Sequence, residues 1–171
     1  MKLRKTKPED IPDVIQIIND SIAGLKAAGI DQWQNGYPNV SSIENDIAKG
    51  WAYVLTDEKE ILATLALGFE KDPNYDTIFE GTWINDEPYG VIHRIAVKMS
   101  RKGEGLALVA MKQCEEICLE NGIFNIKVDT HRHNRSMQRM LAKAGYTLCG
   151  IIYLTHADGA ERLALQKVLR K

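Results

Sequence analysis

The sequence lacks a long apolar run and has little cysteine. No stretch approaches the roughly 18 apolar residues that a membrane-spanning helix needs, and the N-terminus lacks the apolar core of a signal peptide. The three cysteines are an odd number. Cys114 and Cys118 lie four residues apart on a predicted helix, a spacing that fits neither a disulfide framework nor a common zinc motif. We therefore expect a cytoplasmic protein with buried free thiols and no metal site.

An excess of charge of one sign is also lacking. Lys and Arg number 22 against 23 Asp and Glu, which gives a net charge of −1. Because such a chain has no overall field that attracts nucleic acid or an anionic membrane, we expect neither as a partner. Any anion site must then be local. A length of 171 residues with 44% hydrophobic content is ordinary for a globular protein, and we expect residues 1–171 to form a single domain.

One strand–turn–helix segment carries most of the functional information. Residues 91–97 are β-branched and apolar, which predicts a buried strand. A basic turn with Gly103 and Gly105 follows and runs directly into a predicted helix. Glycine allows consecutive amides to converge on one point, and the first-turn amides of a helix favour negative charge. Since Lys102 and Arg101 add positive charge, the segment predicts a phosphate or pyrophosphate site.

Two common phosphate motifs do not fit this turn. The Walker pattern needs Lys-Ser or Lys-Thr after the glycines, and neither follows here. The dinucleotide fingerprint needs G-x-G-x-x-G spacing, which is absent even though Asp129 lies near the expected distance for its acidic residue. These failures disfavour a nucleotide-binding regulatory domain. An ordinary structural connection between strand and helix stays open.

The turn resembles motif A of the GNAT superfamily of acetyl-CoA-dependent N-acetyltransferases, written R/Q-x-x-G-x-G/A. Here the motif reads Lys102-Gly103-Glu104-Gly105-Leu106-Ala107, with Lys in place of the usual Arg or Gln. A later segment resembles motif B of the same superfamily, in which an Asn begins a helix that ends in Lys-x-Gly and an aromatic residue. The matching positions are Asn134, Lys143, Gly145 and Tyr146.

The resemblance implies an α/β (α+β) protein with the GNAT acyl-CoA N-acyltransferase fold. This fold has a central mixed, mostly antiparallel sheet with a splayed parallel pair, here residues 91–97 and 124–130, flanked by helices. The predicted order of elements agrees: β-α-α-β-β, the motif A strand and helix, then β-α-β-β. Ser41-Ser42-Ile43-Glu44 predicts the capping box of the second helix, and Asp158-Gly159 predicts the turn between the last two strands.

The resemblance also implies acetyl-CoA as cofactor and direct attack of an amine on its thioester. The implied cofactor contacts are Ile95, Ala96, Val97, Lys102, Gly103, Glu104, Gly105, Leu106, Ala107, Asn134, Ser136 and Arg139. Asn134 is equally suited to cap its helix, and it can do both. The resemblance further implies His93 as general base, because an imidazole exchanges protons near neutral pH. A purely structural histidine at this position stays open.

One position departs from the family pattern. Many members use a motif B tyrosine to protonate the CoA thiolate, and Leu141 occupies that position here. Tyr153, on the following strand, is the candidate substitute for this catalytic acid. The departure leaves an alternative function open, a catalytically silent module that binds CoA or acyl-CoA.

Aromatic side chains in two irregular segments predict the acceptor pocket. Residues 30–38 contain Trp33 and Tyr37, and residues 70–89 contain Tyr75 and Trp83. Large rings on loops are typical of binding sites, although a purely structural role for either segment stays open. We expect the acceptor to be a primary amine of a small molecule or peptide. A homodimer is an open possibility.

Overall fold

The helices and strands occur in the predicted order. The computed structural model describes residues 1–157 and 159–169, apart from the side chain of His156. The strands are β1 (Lys2–Lys5), β2 (Ala52–Thr56), β3 (Ile61–Gly68), β4 (Gly90–Val97), β5 (Asn125–Thr130), β6 (Thr147–Leu154) and β7 (Ala160–Val168). The α-helices are α1 (Ile11–Ala27), α2 (Val40–Ala48), α3 (Leu106–Glu120) and α4 (Arg135–Lys143).

The strands form one seven-stranded sheet in the order β1-β2-β3-β4-β5-β7-β6. Its antiparallel ladders include β1–β2, β2–β3, β5–β7 and β6–β7, whereas β4 and β5 are parallel. The ladder between β4 and β5 consists of Gly90 opposite Ile126 and Val91 opposite Lys127. The expected mixed, mostly antiparallel sheet with a parallel pair is confirmed.

The chain divides into two compact units. The first unit contains Met1–Gly68 and His93–Gln113, and the second contains Phe69–Ile92 and Cys114–Lys171. The single domain over residues 1–171 stays a prediction.

The core of the first unit forms around one face of α1. Val14, Ile17 and Ile18 follow helical spacing, and all three are buried in a cluster with residues of α2, β2, β3 and β4. Each fully buried aliphatic side chain of this kind contributes roughly 1.5–3 kcal/mol. Gly29, with a φ of 70°, follows the end of α1. The cluster includes Ala96 of β4 and thereby connects α1 and α2 to the strand of the predicted site.

The cap of α2 differs from the prediction. Asn39 is the N-cap: its Oδ1 accepts a hydrogen bond from the Ser42 amide at 3.0 Å, and the Ser42 hydroxyl accepts one from the Asn39 amide at 3.2 Å. The predicted capping box at Ser41 and Glu44 is wrong, because the chain is already helical at Val40 and Ser41 lies inside the helix. Of the other predicted turn, Asp158 lies outside the described residues.

In the second unit, residues 70–89 cover one face of the sheet. Apart from a 3₁₀ turn at Pro73–Tyr75 the segment is irregular, and Tyr75 and Tyr89 are buried in a cluster with Ile152 and Ala164 of the sheet. Phe79 forms an isolated bridge with Ile151 of β6, with two backbone hydrogen bonds of 2.8 Å.

Two glycines allow this close approach to β6. A Cβ on Gly81 would lie 1.9 Å from the carbonyl oxygen of Cys149, and one on Gly150 would lie 2.5 Å from the carbonyl oxygen of Phe79. Because no real Cβ can come this close, the two segments can lie side by side here only with glycine at both positions.

Within residues 1–157 and 159–169, every helix is too short or too polar to cross a membrane. The same residues contain no group of three or more His, Cys, Asp or Glu side chains that could hold a metal ion.

The three cysteines are free and buried, which confirms the prediction of buried thiols. Burial raises the pKa of Cys114 well above its ordinary value and that of Cys118 to about 12. The pKa of Cys149 is also raised, again mainly by burial.

We therefore expect the thiols of the native protein to be nearly inert toward Ellman's reagent at pH 8. With its pKa raised to about 12, Cys118 is a thiolate in roughly one molecule in 10⁴. The release of thionitrobenzoate measures the reaction, and all three thiols should react promptly in guanidinium chloride. Fast modification of one thiol in the native protein would contradict the described burial.

Candidate functional site

The turn between β4 and α3 places two left-handed glycines at an open surface. A 3₁₀ turn at Met99–Arg101 leads into residues 102–105, all of which are exposed. Gly103 has a φ of 93° and Gly105 a φ of 75°, a region that glycine adopts without strain. A Cβ on either glycine would meet no atom within 4 Å. The chain therefore bends sharply here and leaves space beside its backbone.

The same turn leaves helix amides without internal acceptors. Val109 is the first residue of α3 whose amide bonds to a carbonyl in the turn, that of Gly105 at 3.1 Å. The amides of Leu106, Ala107 and Leu108 precede it and, like those of any first helical turn, have no acceptor within the helix. Together with the helix dipole they favour an anion at this end of α3. Residues 102–107, predicted to bind an anion together, thus form the end of the turn and the first two residues of α3.

Carboxylates offset much of the positive charge beside the turn. Arg101 donates two hydrogen bonds of 2.8 Å to the Glu104 carboxylate and another of 2.8 Å to Glu60, to which Lys98 also donates. The Lys98 hydrogen bond and then that of Arg101 lower the pKa of Glu60, and Arg101 lowers the pKa of Glu104. Arg101 therefore pairs with carboxylates of its own unit. The neighbouring Lys102 is exposed.

The predicted strand residues all lie on β4 in the first unit. His93, Ile95 and Val97 are half-buried, and Ala96 is buried in the cluster under α1. Arg94 interrupts the extended strand with a φ of 53°. A left-handed non-glycine residue inside a strand is uncommon and redirects the chain on either side of it. Nothing in the sequence indicates this feature, because arginine has no preference for positive φ.

The side chain of Arg94 is held in a buried ion pair. Its Nε donates to Oδ2 of Asp46 at 3.0 Å and its Nη2 donates to Oδ1 at 2.6 Å, while Nη1 donates to the hydroxyl of Tyr37. The Arg94 and Asp46 side chains are 13% and 4% exposed. Burial lowers the pKa of Arg94, but Tyr37 and Asp46 more than offset this effect, so the pKa is raised.

The two rings predicted on residues 30–38 are both held within the first unit. Tyr37 bonds to Arg94 as described, and Trp33 packs against the cluster that contains Ala96. Trp33 also has a positive φ, 63°. The sequence left open whether these two rings have a structural role or form the wall of a pocket. Both rings are half-buried, which is compatible with either role.

In the second unit, the predicted acceptor residues Tyr75 and Trp83 contact each other. The Trp83 Nε1 donates to the carbonyl oxygen of Tyr75 at 2.9 Å, and the ring centroids are 5.5 Å apart. The Tyr75 hydroxyl donates to Oδ2 of Asp129 at 2.7 Å. Burial, followed by the negative charge of Asp129, raises the pKa of Tyr75 well above its ordinary value. With 2% of its surface exposed, Tyr75 fits the structural role better than that of a pocket wall.

Sequence reasoning missed Lys127. Its Nζ lies 4.2 Å from the ring centroids of both Trp83 and Tyr89, and the residue is 3% exposed. Burial lowers the pKa of this ammonium group, while the two ring faces attract its charge. Lys127 alternates with apolar residues along β5, a pattern that predicts a solvent-facing side chain, so nothing in the local sequence indicated its burial.

The motif B residues lie at the start of α4 in the second unit. Asn134 is the N-cap of this helix, and its Oδ1 accepts a hydrogen bond from the Met137 amide at 3.1 Å. Ser136 and Arg139 are exposed. The structure therefore confirms the capping role of Asn134, and its contact with a cofactor stays a prediction.

The chain matches a known protein family over most of its length. The model of the acetyltransferase (GNAT) family matches residues 25–146, which include the turn after β4 and the start of α4. The chain belongs to the GNAT acetyltransferase family.

Solved structures agree with this assignment. A GNAT family acetyltransferase from Streptococcus agalactiae 2603 is 34% identical, with a TM-score of 0.90 over 99% of this chain and 96% of that chain. A GNAT family acetyltransferase from Listeria monocytogenes 4b F2365 is 20% identical, with a TM-score of 0.75 over 98% and 94%. A ribosomal-protein-alanine N-acetyltransferase from Brucella melitensis shares the fold at 15% identity, with a TM-score of 0.70 over 99% and 100%. A comparison with curated proteins found no match.

Two further positions matter in a GNAT acetyltransferase. Leu141, where many members carry a tyrosine, is fully buried in the second unit. Tyr153, the candidate substitute acid, is 42% exposed on β6, and its ring meets that of Phe79 edge-on at 5.3 Å. His93 belongs to the first unit and Tyr153 to the second.

Tyr75→Phe tests the structural role of Tyr75 in this acetyltransferase. We expect it to lower the free energy of unfolding by about 1–3 kcal/mol, because the substitution deletes a hydrogen bond to a charged, partly buried acceptor. Urea unfolding measures the change. Tyr153→Phe is the matched control on an exposed ring and should change stability by less than about 0.5 kcal/mol. Equal stability of the two variants would contradict the structural role of the Tyr75 hydroxyl.

Proposed function

We propose that this acetyltransferase moves the acetyl group of acetyl-CoA to a primary amine of a small molecule or peptide, by direct attack in a ternary complex. The observation that carries the proposal is the exposed turn at residues 102–105, with its left-handed glycines, together with the first-turn amides at the start of α3. Family membership supports it independently.

The residues present fit the diphosphate of coenzyme A. Diphosphate oxygens accept several hydrogen bonds at once, and the amides around Gly105 and Leu106 lack helical acceptors. A side chain at Gly103 or Gly105 would crowd a ligand lying against the backbone, and the absence of any atom within 4 Å of either Cβ position leaves that space open. Lys102 would add charge, and the backbone of residues 95–97 would hold the pantetheine arm. Asn134, Ser136 and Arg139 of the second unit stay predicted cofactor contacts.

When bound, acetyl-CoA supplies the activated thioester, and the chain's own groups manage the protons. An alkyl ammonium has a pKa near 10.4 and must lose a proton before it can attack. We assign this proton to the His93 imidazole, half-buried on β4 in the same unit as the turn. An amide near Val97 would stabilise the developing negative charge on the thioester oxygen.

The buried Leu141 gives a second candidate function specific support. This side chain cannot donate a proton to the CoA thiolate, although a thiolate with an ordinary pKa near 8.5 is a tolerable leaving group without one. Tyr153 is the proposed acid, since its hydroxyl is on an exposed residue. Without any acid or base, the protein would be the silent module that binds CoA or acyl-CoA.

The setting of the reaction is also proposed. Three free thiols suit a reducing compartment, which supports action in the cytoplasm. The family match spans residues of both compact units, which supports one GNAT domain over residues 1–171. The homodimer stays a prediction that light scattering can check.

The anion site is tested by Gly105→Val. We expect the dissociation constant for acetyl-CoA, measured by calorimetry, to rise at least about tenfold, as expected when one hydrogen bond to a charged group is lost. The matched control is Gly122→Val, at the other end of α3, since Gly122 has a φ of 71° and equally open space around its Cβ position. The Gly122→Val variant should have similar backbone strain and keep the affinity for acetyl-CoA of the unaltered protein. Equal affinities in both variants, or tighter binding of ATP than of acetyl-CoA, would contradict the assignment.

The base is tested by His93→Ala with a panel of amines. We expect the substitution to lower the rate of thiol release by about 10²- to 10⁴-fold, because general base catalysis contributes that much, while the affinity for acetyl-CoA is kept. The pH profile of the remaining activity should also differ from that of the unaltered protein. An unaltered pH profile would remove His93 as the base. No turnover with any amine in the unaltered protein, despite tight binding of CoA, would favour the silent module.

A further inference from the structure

Arg94 lies where three parts of the first unit meet. It follows His93 directly on β4, its guanidinium pairs with Asp46 of α2, and its Nη1 donates to the hydroxyl of Tyr37 in the segment 30–38. The three groups come from separate elements, so one side chain connects the strand of the proposed base with the helix and the segment on either side of Asn39.

The connection has a defined geometry. An arginine fork presents its donors in one plane and cannot rotate them independently. With Nε and Nη2 bound to Asp46 at 3.0 and 2.6 Å, the direction of Nη1 is fixed, and Tyr37 can meet it only from one position. The guanidinium carbon lies 5.8 Å from the centre of the Tyr37 ring, a distance consistent with the hydrogen bond between Nη1 and the hydroxyl of that ring.

The same segment is fixed a second time near β4. Trp33 packs against the cluster that includes Ala96, two residues beyond Arg94. Both large rings of residues 30–38 are thus held by groups on, or packed with, the strand that carries His93. The segment is thus held at two points, by Arg94 of β4 and by the core cluster of the first unit, and these two contacts define its position relative to the strand.

We propose that Arg94 is a positioning residue for the acceptor: through Asp46 and Tyr37 it fixes the segment 30–38 relative to His93 and thereby sets the affinity for the amine. The inference rests on the proposed function, because it takes residues 30–38 as a wall of the acceptor site and His93 as the base. Arg94 itself need not touch either substrate. Its ion pair is buried, and Tyr37 occupies the donor that points toward the segment.

Two substitutions separate the connection from the stability of the fold. Tyr37→Phe removes one hydroxyl and keeps the ring, and Asp46→Asn removes the charge and keeps the size. The matched control is Asp10→Asn, because Asp10 forms a similar two-point pair with Arg4, at 2.7 and 2.9 Å, in the same unit. That pair lies between β1 and the start of α1, away from β4 and residues 30–38 in the sequence.

We expect Tyr37→Phe and Asp46→Asn to raise KM for the best amine of the panel by as much as about tenfold, because a segment that loses one hydrogen bond to a charged group occupies its binding position less often. KM for acetyl-CoA and its calorimetric affinity should stay within about twofold. Asp10→Asn should alter neither constant, even where it lowers the melting temperature. If Asp46→Asn fails to fold, Tyr37→Phe alone decides the outcome, since it leaves the ion pair intact.

Hydrogen exchange gives a readout that does not depend on turnover. Peptides covering residues 30–38 should exchange faster in both site variants and at the unaltered rate in Asp10→Asn. Unchanged amine KM, or equal changes in both substrate constants, would overturn the inference, as would unchanged exchange in residues 30–38. Failure of the unaltered protein to bind acetyl-CoA would instead overturn the proposed function, and hydrogen exchange would still decide whether Arg94 holds the segment.

Discussion

The first unit depends on one buried ion pair. A guanidinium taken out of water is costly unless a well-placed carboxylate compensates it, and removing one partner of such a pair leaves the other charge uncompensated, typically at a cost of about 3–5 kcal/mol. Arg94 and Asp46 meet this condition, since both Nε and Nη2 of Arg94 donate to the carboxylate. The pair also fixes the left-handed backbone at Arg94, because that conformation is tolerated only where the surroundings over-determine it. The ion pair between Arg94 and Asp46 thus contributes both to the stability of the unit and to the direction of β4.

The second unit meets a different constraint, the burial of polar side chains. Asn125 and Gln166 are fully buried on the sheet, and amides of the segment 70–89 bond to both. Asn85 Nδ2 donates to Asn125 Oδ1 at 2.9 Å, and the Ile84 amide donates to Gln166 Oε1 at 2.8 Å. Buried amides without partners would destabilise the fold. The segment therefore packs in one register on the sheet and satisfies groups that would otherwise need water.

Features of the fold that depend on neighbouring residues were predictable from patterns in the sequence. Helical spacing in α1 and the glycines before α3 depend on neighbours in sequence, so the order of elements and the turn at residues 102–107 were predictable. The cap at Asn39 was missed by two residues because several polar side chains there can cap a helix equally well. Ser136 and Arg139 are exposed, and their proposed contact with the cofactor comes from the motif resemblance alone, because no pattern of spacing predicts it.

The remaining features depend on partners far along the chain. Lys127 alternates with apolar neighbours, as a solvent-facing side chain would, yet Trp83 and Tyr89, about forty residues earlier, cover it. Arg94 fits the pattern of an ordinary strand residue, and its carboxylate partner is 48 positions away. No short sequence window contains both members of such a pair. The partners of Lys127 and Arg94 can therefore be identified only once the fold is known.

The bridge between Phe79 and Ile151 has a consequence for solubility. β6 is the last strand of the sheet, and an unpaired outer strand offers its backbone to other chains, which promotes association between molecules. Phe79 takes both backbone groups of Ile151, so an incoming strand cannot run the full length of β6. Gly81 and Gly150 make this protection possible. A larger residue at either position would leave the edge of β6 free to pair with strands of other molecules.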